Sequence, residues 1–448
     1  MKLNKLFLLA AMGLGLFACN NNDLVEGSAP NGTQEEGTTY VGFSLKFSNT
    51  NTRAEGDLAT EEESHITSAY VMMASDDGAT FAKVLSMSDI PTGEDVEGYY
   101  TTEGKFLFQT TAGNHDFYAV INPEIPPTEN GNVTTYLNDE VVLSVDVIAA
   151  NNNFMMSSCE KKTFYVSDNV TVDDAIDGST DDAKSNNFTI SVERVVAKVT
   201  MTCANPKLSD NTGGAAGGKL ETAEFYLCNK ALKSSRMART SPLNLSAGAE
   251  NFESDNTPTP VAMNISDKTD EEVTPVYCLE NIHSTYLQDY TTYVILNTTF
   301  IPESVVKCDE ADNNGGDDDF YTNPKDENKK SFRVVTEGTL SGAYILEADL
   351  NEYKEAHSDA LPVGVDAVSG LYENGKCWFG PIWVGENNGD YAVERNYWYN
   401  LNITGITLPG SYEKPEITPG FPPNPPTNVA ITLTVEDWTS ADRNINLK

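Results

Sequence analysis

The 448-residue sequence is poor in basic side chains: 29 Lys and Arg stand against 67 Asp and Glu, a formal net charge of −38. A surface of that sign repels phosphate backbones, which excludes nucleic acid as a partner. It also keeps copies of an exported chain apart until a specific contact joins them. Histidine is scarcer still. The four, His65, His115, His283 and His357, each stand alone in their stretch of sequence. No HExxH, GxSxG, P-loop or SxxK pattern occurs, so no recognisable enzyme site is present and no cofactor is implied. The sequence reads as a non-enzyme.

Cysteine is spaced too widely for metal. Apart from Cys19 there are Cys159, Cys203, Cys228, Cys278, Cys308 and Cys377, with no CxxC pair. Disulfides and free buried thiols are equally compatible with that spacing, and the sequence selects no pairing. One acidic loop approaches a calcium motif. Glu310, Asp312, Asn314, Gly315 and Asp318 fall at EF-hand offsets, but the twelfth position is Tyr321 instead of a carboxylate. We read residues 310–321 as a solvated loop and expect no metal requirement.

Long apolar runs are missing with one exception. Lys2 and Lys5 precede an apolar stretch from Leu6 to Phe17, followed by Ala18-Cys19. It is shorter than the ~20 residues a membrane-spanning helix needs. A charged start, a short apolar centre and a small residue before a cysteine make a lipoprotein signal, residues 1–18, with Cys19 as the lipid-bearing mature end. Residues 20–39 are polar and read as a tether.

From Tyr40 the pattern changes. Val41, Phe43, Leu45 and Phe47 alternate with Gly42, Ser44 and Lys46, which predicts a strand with one apolar face. A polar loop with Arg53-Ala54 follows. Beyond it come short β-branched and aromatic runs: Ala69–Ala74, Lys105–Thr110, Phe117–Asn122, Val141–Val147, Phe188–Val192, Val195–Cys203, Ala223–Cys228, Thr291–Phe300, Phe332–Thr336, Tyr397–Ile403 and Val429–Val435. Strands at this density predict an all-β protein of two sandwiches in tandem, with little helix beyond Leu350–His357. The glycine-rich stretch Asp210–Gly218 is the expected boundary. It gives domains at 54–209 and 219–448, with 19–53 as a removable segment. No internal repeat is evident.

Residues 409–427 carry Pro409, Pro415, Pro419, Pro422, Pro423, Pro425 and Pro426. Proline fixes φ, so this reads as a semi-extended connector reaching on the order of 50 Å at ~3.1 Å per residue. It leads to a final strand and tail, 429–448. Val429, Ile431, Leu433 and Val435 share one face there, Trp438 follows, and Ile445 and Leu447 alternate at the end. The two chain ends suggest a mechanism. A cut after Arg53 would release Val41–Phe47 and open an apolar groove. The matching C-terminal strand of another copy would fill it by strand addition. The plainer alternative is that Val41–Phe47 is a permanent edge strand.

The order of lipoprotein signal, tether, alternating strand, Arg-Ala, two β domains, proline connector and Trp-containing last strand resembles the Bacteroidia-type fimbrillins, the FimA/Mfa-like fimbrial subunits. Four segments carry the likeness: Phe117–Asn122, Arg194–Val199, Arg395–Ile403 and Leu433–Trp438. The connector looks most like that of a minor-fimbria shaft subunit. The resemblance implies transthyretin-like sandwiches and export to the outer membrane as a lipoprotein. It implies maturation by an Arg-specific protease between Arg53 and Ala54. Polymerisation with copies of itself and related fimbrial subunits would follow, serving adhesion to a host or bacterial surface and biofilm formation. Two rivals accompany it. One is a fimbrial tip adhesin of the same family. The other is a lipid-anchored glycan-binding protein using Trp378, Trp383, Tyr391, Tyr397, Trp398 and Tyr399 as a stacking platform.

Overall fold

A computed structural model describes residues 38–47, 60, 62–87, 106–139, 141–150, 153–177, 186–203, 206–208, 217–237, 252, 258–263, 265, 273–308, 319–323, 330–385, 391–425 and 429–437. Within them the chain is predominantly β. The first sheet has eight strands: β1 (Thr38–Phe47), β2 (Ala69–Ala74), β3 (Phe81–Ser86), β4 (Phe106–Thr111), β5 (Gly113–Ile121), β6 (Met156–Ser158), β7 (Lys162–Val166) and β8 (Asn187–Arg194). Their order is β3-β2-β5-β6-β8-β1-β4, with β7 also on β5.

The second sheet has nine. They are β9 (Val196–Cys203), β10 (Lys207–Leu208), β11 (Gly218–Cys228), β12 (Val276–Leu279), β13 (Tyr293–Pro302), β14 (Lys376–Trp383), β15 (Tyr397–Ile406), β16 (Val429–Asp437) and the short Val261–Ala262. The path runs β12-β9-β15-β10-β11-β13-β14. β16 joins β15, and Val261–Ala262 joins β11. The longest helix, Glu347–Ala356, begins a turn earlier than the sequence suggests.

Each sheet has an apolar core. Val41, Phe43, Leu45, Phe106, Phe108, Phe117, Ile190 and Val192 lie in the first. Val199, Met201, Phe225, Leu296, Phe300, Phe379 and Leu401 lie in the second.

Three expectations are corrected. The chain passes from the first sheet to the second between Arg194 and Val196, not at Asp210–Gly218. The glycine-rich stretch instead joins antiparallel neighbours of one sheet, since Leu208 pairs with Gly218. Glycine disfavours strand, but a connection within a sheet needs that freedom as much as a domain boundary does. Val141–Val147 is not one strand. Val141–Val142 pairs with Lys233–Ser234, and a helical turn over Val145–Ile148 follows. That turn lets both Leu143 and Ile148 enter the first core. Finally, β1 is an interior strand, between β8 and β4.

Charged side chains hold the joint between the sheets. Arg194, at the end of β8, is buried and donates to the Glu63 carbonyl (3.2 Å) and Ser64 Oγ (3.2 Å). Burial lowers its pKa to about 10 against the attraction of Glu63, so it stays cationic at neutral pH. Glu63, 3% exposed, meets Lys198 Nζ at 2.9 Å and accepts from the Tyr277 hydroxyl (2.7 Å) and the Thr60 amide (2.8 Å). A second buried group lies nearby. Arg395 donates to Glu280, to the carbonyls of Ser235 and Arg236 (both 2.9 Å) and to Ser234 Oγ (3.0 Å).

Burial alone would raise the Glu63 carboxyl. The charge of Lys198, with hydrogen bonds from Lys198, Tyr277 and Thr60, outweighs it and holds the group below its ordinary value of 4.5. A depressed carboxylate adds stability above its unfolded pKa, and loses it as pH falls through the folded one. Glu63→Gln should therefore lower the thermal midpoint at pH 7, with the difference from wild type shrinking below pH 4.5. Melts across that range check this. A gap that stays constant into acid would rule out the ionised pair as its source.

Candidate functional site

The sequence placed function at the two ends of the chain. The start of that account lies outside the described residues: Cys19, Arg53 and Ala54. So do Trp438, Ile445 and Leu447 at the far end, and most of the 310–321 loop. Tyr321 of that loop is described, and its hydroxyl donates to the Asp349 carboxylate.

The first strand is built into the sheet. β1 runs parallel to β8, with Phe43 opposite Phe188 and Leu45 opposite Ile190. It runs antiparallel to β4, with Val41 opposite Phe108 and Phe43 opposite Phe106. Val41 and Phe43 are 0% exposed and Leu45 1%. The Phe43 ring lies 4.4 Å from Phe117, 5.7 Å from Phe108, 5.8 Å from Phe164 and 5.9 Å from Phe188. Phe47 ends the strand opposite Val192.

The leading end of β1 is tied down by polar groups. Thr39 Oγ1 donates to the Ser167 carbonyl (2.8 Å) and accepts from the Val170 amide (3.0 Å). Asn186 donates its side-chain amide to the Tyr40 carbonyl (2.9 Å), and its carbonyl accepts from the Gly42 amide (2.9 Å). Across β1 from Phe43, Tyr40 and Leu107 pack with Val170 and Ala175, covering that end of the outer face.

The last strand is held on one side only. β16 pairs antiparallel with β15 from Val429 opposite Ile406 to Asp437 opposite Tyr397, and with no other strand among the described residues. Val435 lies opposite Tyr399. Ile431 and Leu433 are half-buried against the second core.

The proline connector is not a loose spacer, which corrects the reach expected from its composition. Over residues 409–425 it is fastened to the second sandwich. Ser411 exchanges two backbone bonds with Trp378, both 2.8 Å. The buried Gln288 accepts from the Thr418 amide (2.7 Å) and donates to the carbonyls of Phe421 (2.8 Å) and Pro422 (3.0 Å). Asp289 accepts from the Gly420 amide (3.0 Å), and the Trp383 indole donates to the Asn424 carbonyl (2.6 Å). Proline leaves its own carbonyl free to accept and supplies no donor. A buried glutamine, with one acceptor and two donors, suits such a segment. Nothing local in the sequence singles out Gln288.

The aromatic platform of the rival reading is dispersed. Trp398 packs against the first core, Tyr397 and Tyr399 belong with the second, and Trp378, Trp383 and Tyr391 gather in a separate cluster. Trp383 and Tyr399 are buried, and Lys198 sits over the Trp398 ring at 4.9 Å. These rings do packing work. None of the six cysteines is in a disulfide. Among the described residues no group of three or more His, Cys, Asp or Glu is placed to hold a metal, and no helix is long and apolar enough to cross a membrane.

Two of the four segments that carried the resemblance contain the buried joint residues, Arg194 and Arg395. A third ends in Asn122. Its Oδ1 accepts from the Thr67 and Ser68 amides (2.8 and 3.0 Å), and its amide donates to the His65 and Phe154 carbonyls (2.9 and 3.1 Å).

Residues 371–444 match the family model of the major fimbrial subunit protein type IV, fimbrillin, C-terminal. The match contains β14, β15, β16 and the connector, and it meets the fimbrillin resemblance read from the sequence. No curated protein matches the chain. Among solved structures, a fimbrilin from Porphyromonas gingivalis is 15% identical. The alignment covers 91% of this chain and 99% of that one, with a TM-score of 0.43. The tip fimbrial protein Mfa3 of the same organism is 14% identical, covering 90% of this chain and 100% of that one, with a TM-score of 0.39. A chain from Parabacteroides distasonis described as a cell adhesion protein is 14% identical, covering 91% and 99%, with a TM-score of 0.43.

Proposed function

We propose, from the fimbrillin match over residues 371–444, that this chain is a structural shaft subunit of a cell-surface fimbria. It is exported as a lipoprotein through Cys19, held at the outer membrane, and cut after Arg53 by an Arg-specific protease. It then joins further copies by strand exchange, and the fibre serves adhesion and biofilm formation. The observation that carries this reading is the contrast between the chain ends. β1 fills an interior slot of the first sheet. It is linked to the body through a segment whose only Lys or Arg is Arg53. Among the described residues β16 is an edge strand of the same apolar alternation, paired on one side. A strand that moves from an edge to an interior slot gains a second hydrogen-bonded ladder and deeper burial of its apolar face.

Material sheared from cells tests the reading. The expected finding is an N-terminus at Ala54 and a ladder of polymers on unboiled gels. A monomer still lipidated at Cys19 would overturn it in favour of an anchored surface binder.

A further inference from the structure

The outer face of the second sheet carries hydrogen-bonding groups that the fold leaves unused. Two ladder rows cross β11, β13 and β14 there: Thr222, Thr299 and Lys376 in one, Glu224, Asn297 and Trp378 in the other. Ala223 and Cys377, in the row between, face the second core, as strand alternation requires. A bulge between Leu220 and Thr222 bends β11 beside these rows.

The turn Glu373–Gly375 walls one end. Gly375 has φ +75°, and a Cβ there would lie 2.5 Å from the Phe300 carbonyl oxygen, so glycine lets the turn sit this close to β13. Asn374, left-handed at φ 52°, is fixed by its backbone amide, which donates to Ser331 Oγ (2.9 Å). Sheet and turn together enclose a cleft of about 470 Å3, a size that suits a small ligand.

At the joint between the sheets the charges are matched; in this cleft they are not. The Tyr226 hydroxyl donates to Glu224 (3.3 Å) and accepts from the Asn297 amide. That leaves Asn297 Oδ1 buried without a partner, an uncommon state for a polar atom in a folded protein. A turn of the side chain presents that oxygen to the cleft. Lys376 Nζ lies over the Trp378 ring at 5.1 Å, and among the described residues no carboxylate pairs with it.

These groups select a ligand chemistry. A phosphate or an acidic peptide would meet two carboxylates, Glu224 and Glu373, against one ammonium. A metal ion would want more acids, and among the described residues no three His, Cys, Asp or Glu are gathered. A peptide strand needs a free edge, and the edge of β14 beside the cleft is closed by the two bonds between Trp378 and Ser411. Sugar hydroxyls each donate and accept. They suit a wall in which Glu224, Glu373 and Asn297 accept while Lys376 and Asn374 donate.

We infer that this cleft is a binding site for an uncharged saccharide, held by Glu224, Asn297 and Lys376. Trp378 props Lys376 and is not a stacking platform. The site supplies a ligand class for the adhesion proposed above and does not depend on assembly, since an uncut subunit carries the same cleft. Repeated along a fibre, it engages many sugars of one surface at once, which raises overall affinity without any new contact.

Saturation-transfer NMR on the full-length, uncut chain tests this, with methyl mannoside, methyl galactoside, N-acetylglucosamine and glucuronic acid as probes. At least one of the three uncharged sugars should receive saturation at millimolar concentration, and glucuronic acid should not. Glu224→Ala and Lys376→Ala alter exposed side chains and should leave the thermal midpoint in place. Each should weaken the titrated affinity about tenfold, as loss of one hydrogen bond to a charged group does. Affinity unchanged in both variants would put the sugar elsewhere and overturn the site. Preference for glucuronic acid would overturn the ligand class. Transfer to none of the four would overturn the inference and leave the fimbrial reading standing, whereas a lack of fibres would remove only the repeated presentation.

Discussion

Arg53→Ala is expected to yield a folded, lipid-bearing monomer and no fibres. The uncut chain keeps β1 in its slot, with Val41, Phe43 and Leu45 sealed between β8 and β4. Each such side chain contributes ~1.5–3 kcal/mol by burial, and the two ladders add to that. No incoming strand displaces a continuous segment held by several kcal/mol and tied down again at Thr39. The variant should melt at or above the midpoint of the cut protein, because cutting turns β1 into a dissociable piece. Electron microscopy, unboiled gels and N-terminal sequencing are the checks. Normal fibres from the variant, with Ala54 still at the N-terminus, would end the maturation scheme.

Arg395→Met should be the most damaging single change in the body of the protein. Arg395 and Glu280 are 4% and 2% exposed, and the guanidinium also satisfies Ser234, Ser235 and Arg236. Removing it leaves a buried carboxylate without the guanidinium that faces it and takes one donor from each of two carbonyls. Breaking a buried pair from one side typically costs about 3–5 kcal/mol, whereas replacing both partners by apolar groups is far milder. Glu280→Met with Arg395→Met should therefore recover much of the loss. Urea midpoints of the two variants are the measurement. A single variant within about 1 kcal/mol of wild type would mean that the pair does not hold the joint.

Strand positions were legible because alternation is local. Val41–Leu45, Ala69–Ala74 and Val429–Val435 all fall inside strands of the structure. Pairing was not legible. The neighbour of β1 on one side is β8, far along the chain, and no local residue signals so distant a partner. Nor were the buried ions. Glu63 and Glu280 are two acids among many in a strongly acidic chain, and a charged side chain is ordinarily exposed. Their burial follows from where Lys198, Arg194 and Arg395 end up, which only the packed sheets decide. The glycine-rich stretch misled for a related reason, because flexibility marks a connection without saying what it connects. Proline misled at 409–425 because its stiffness says nothing of the Gln288 and Trp383 contacts that fasten it.

That fastening has a mechanical side. In a fibre joined through its last strands, shear on the cell surface pulls on residues 429–437, and the tension enters the parent subunit at Asn424. There it meets the Trp383 indole, then Gln288 at Pro422 and Phe421, then Asp289 at Gly420. A slack leash would stretch first and deliver the whole jerk to the sheet. A leash pinned near its outer end shares the pull among several anchors and leaves little length to pay out. Survival under such pulling is set by how slowly the anchors let go, more than by equilibrium stability. In a fibre assembled as proposed, the connector would act as strain relief, and the lifetime of that fibre under flow would depend on it.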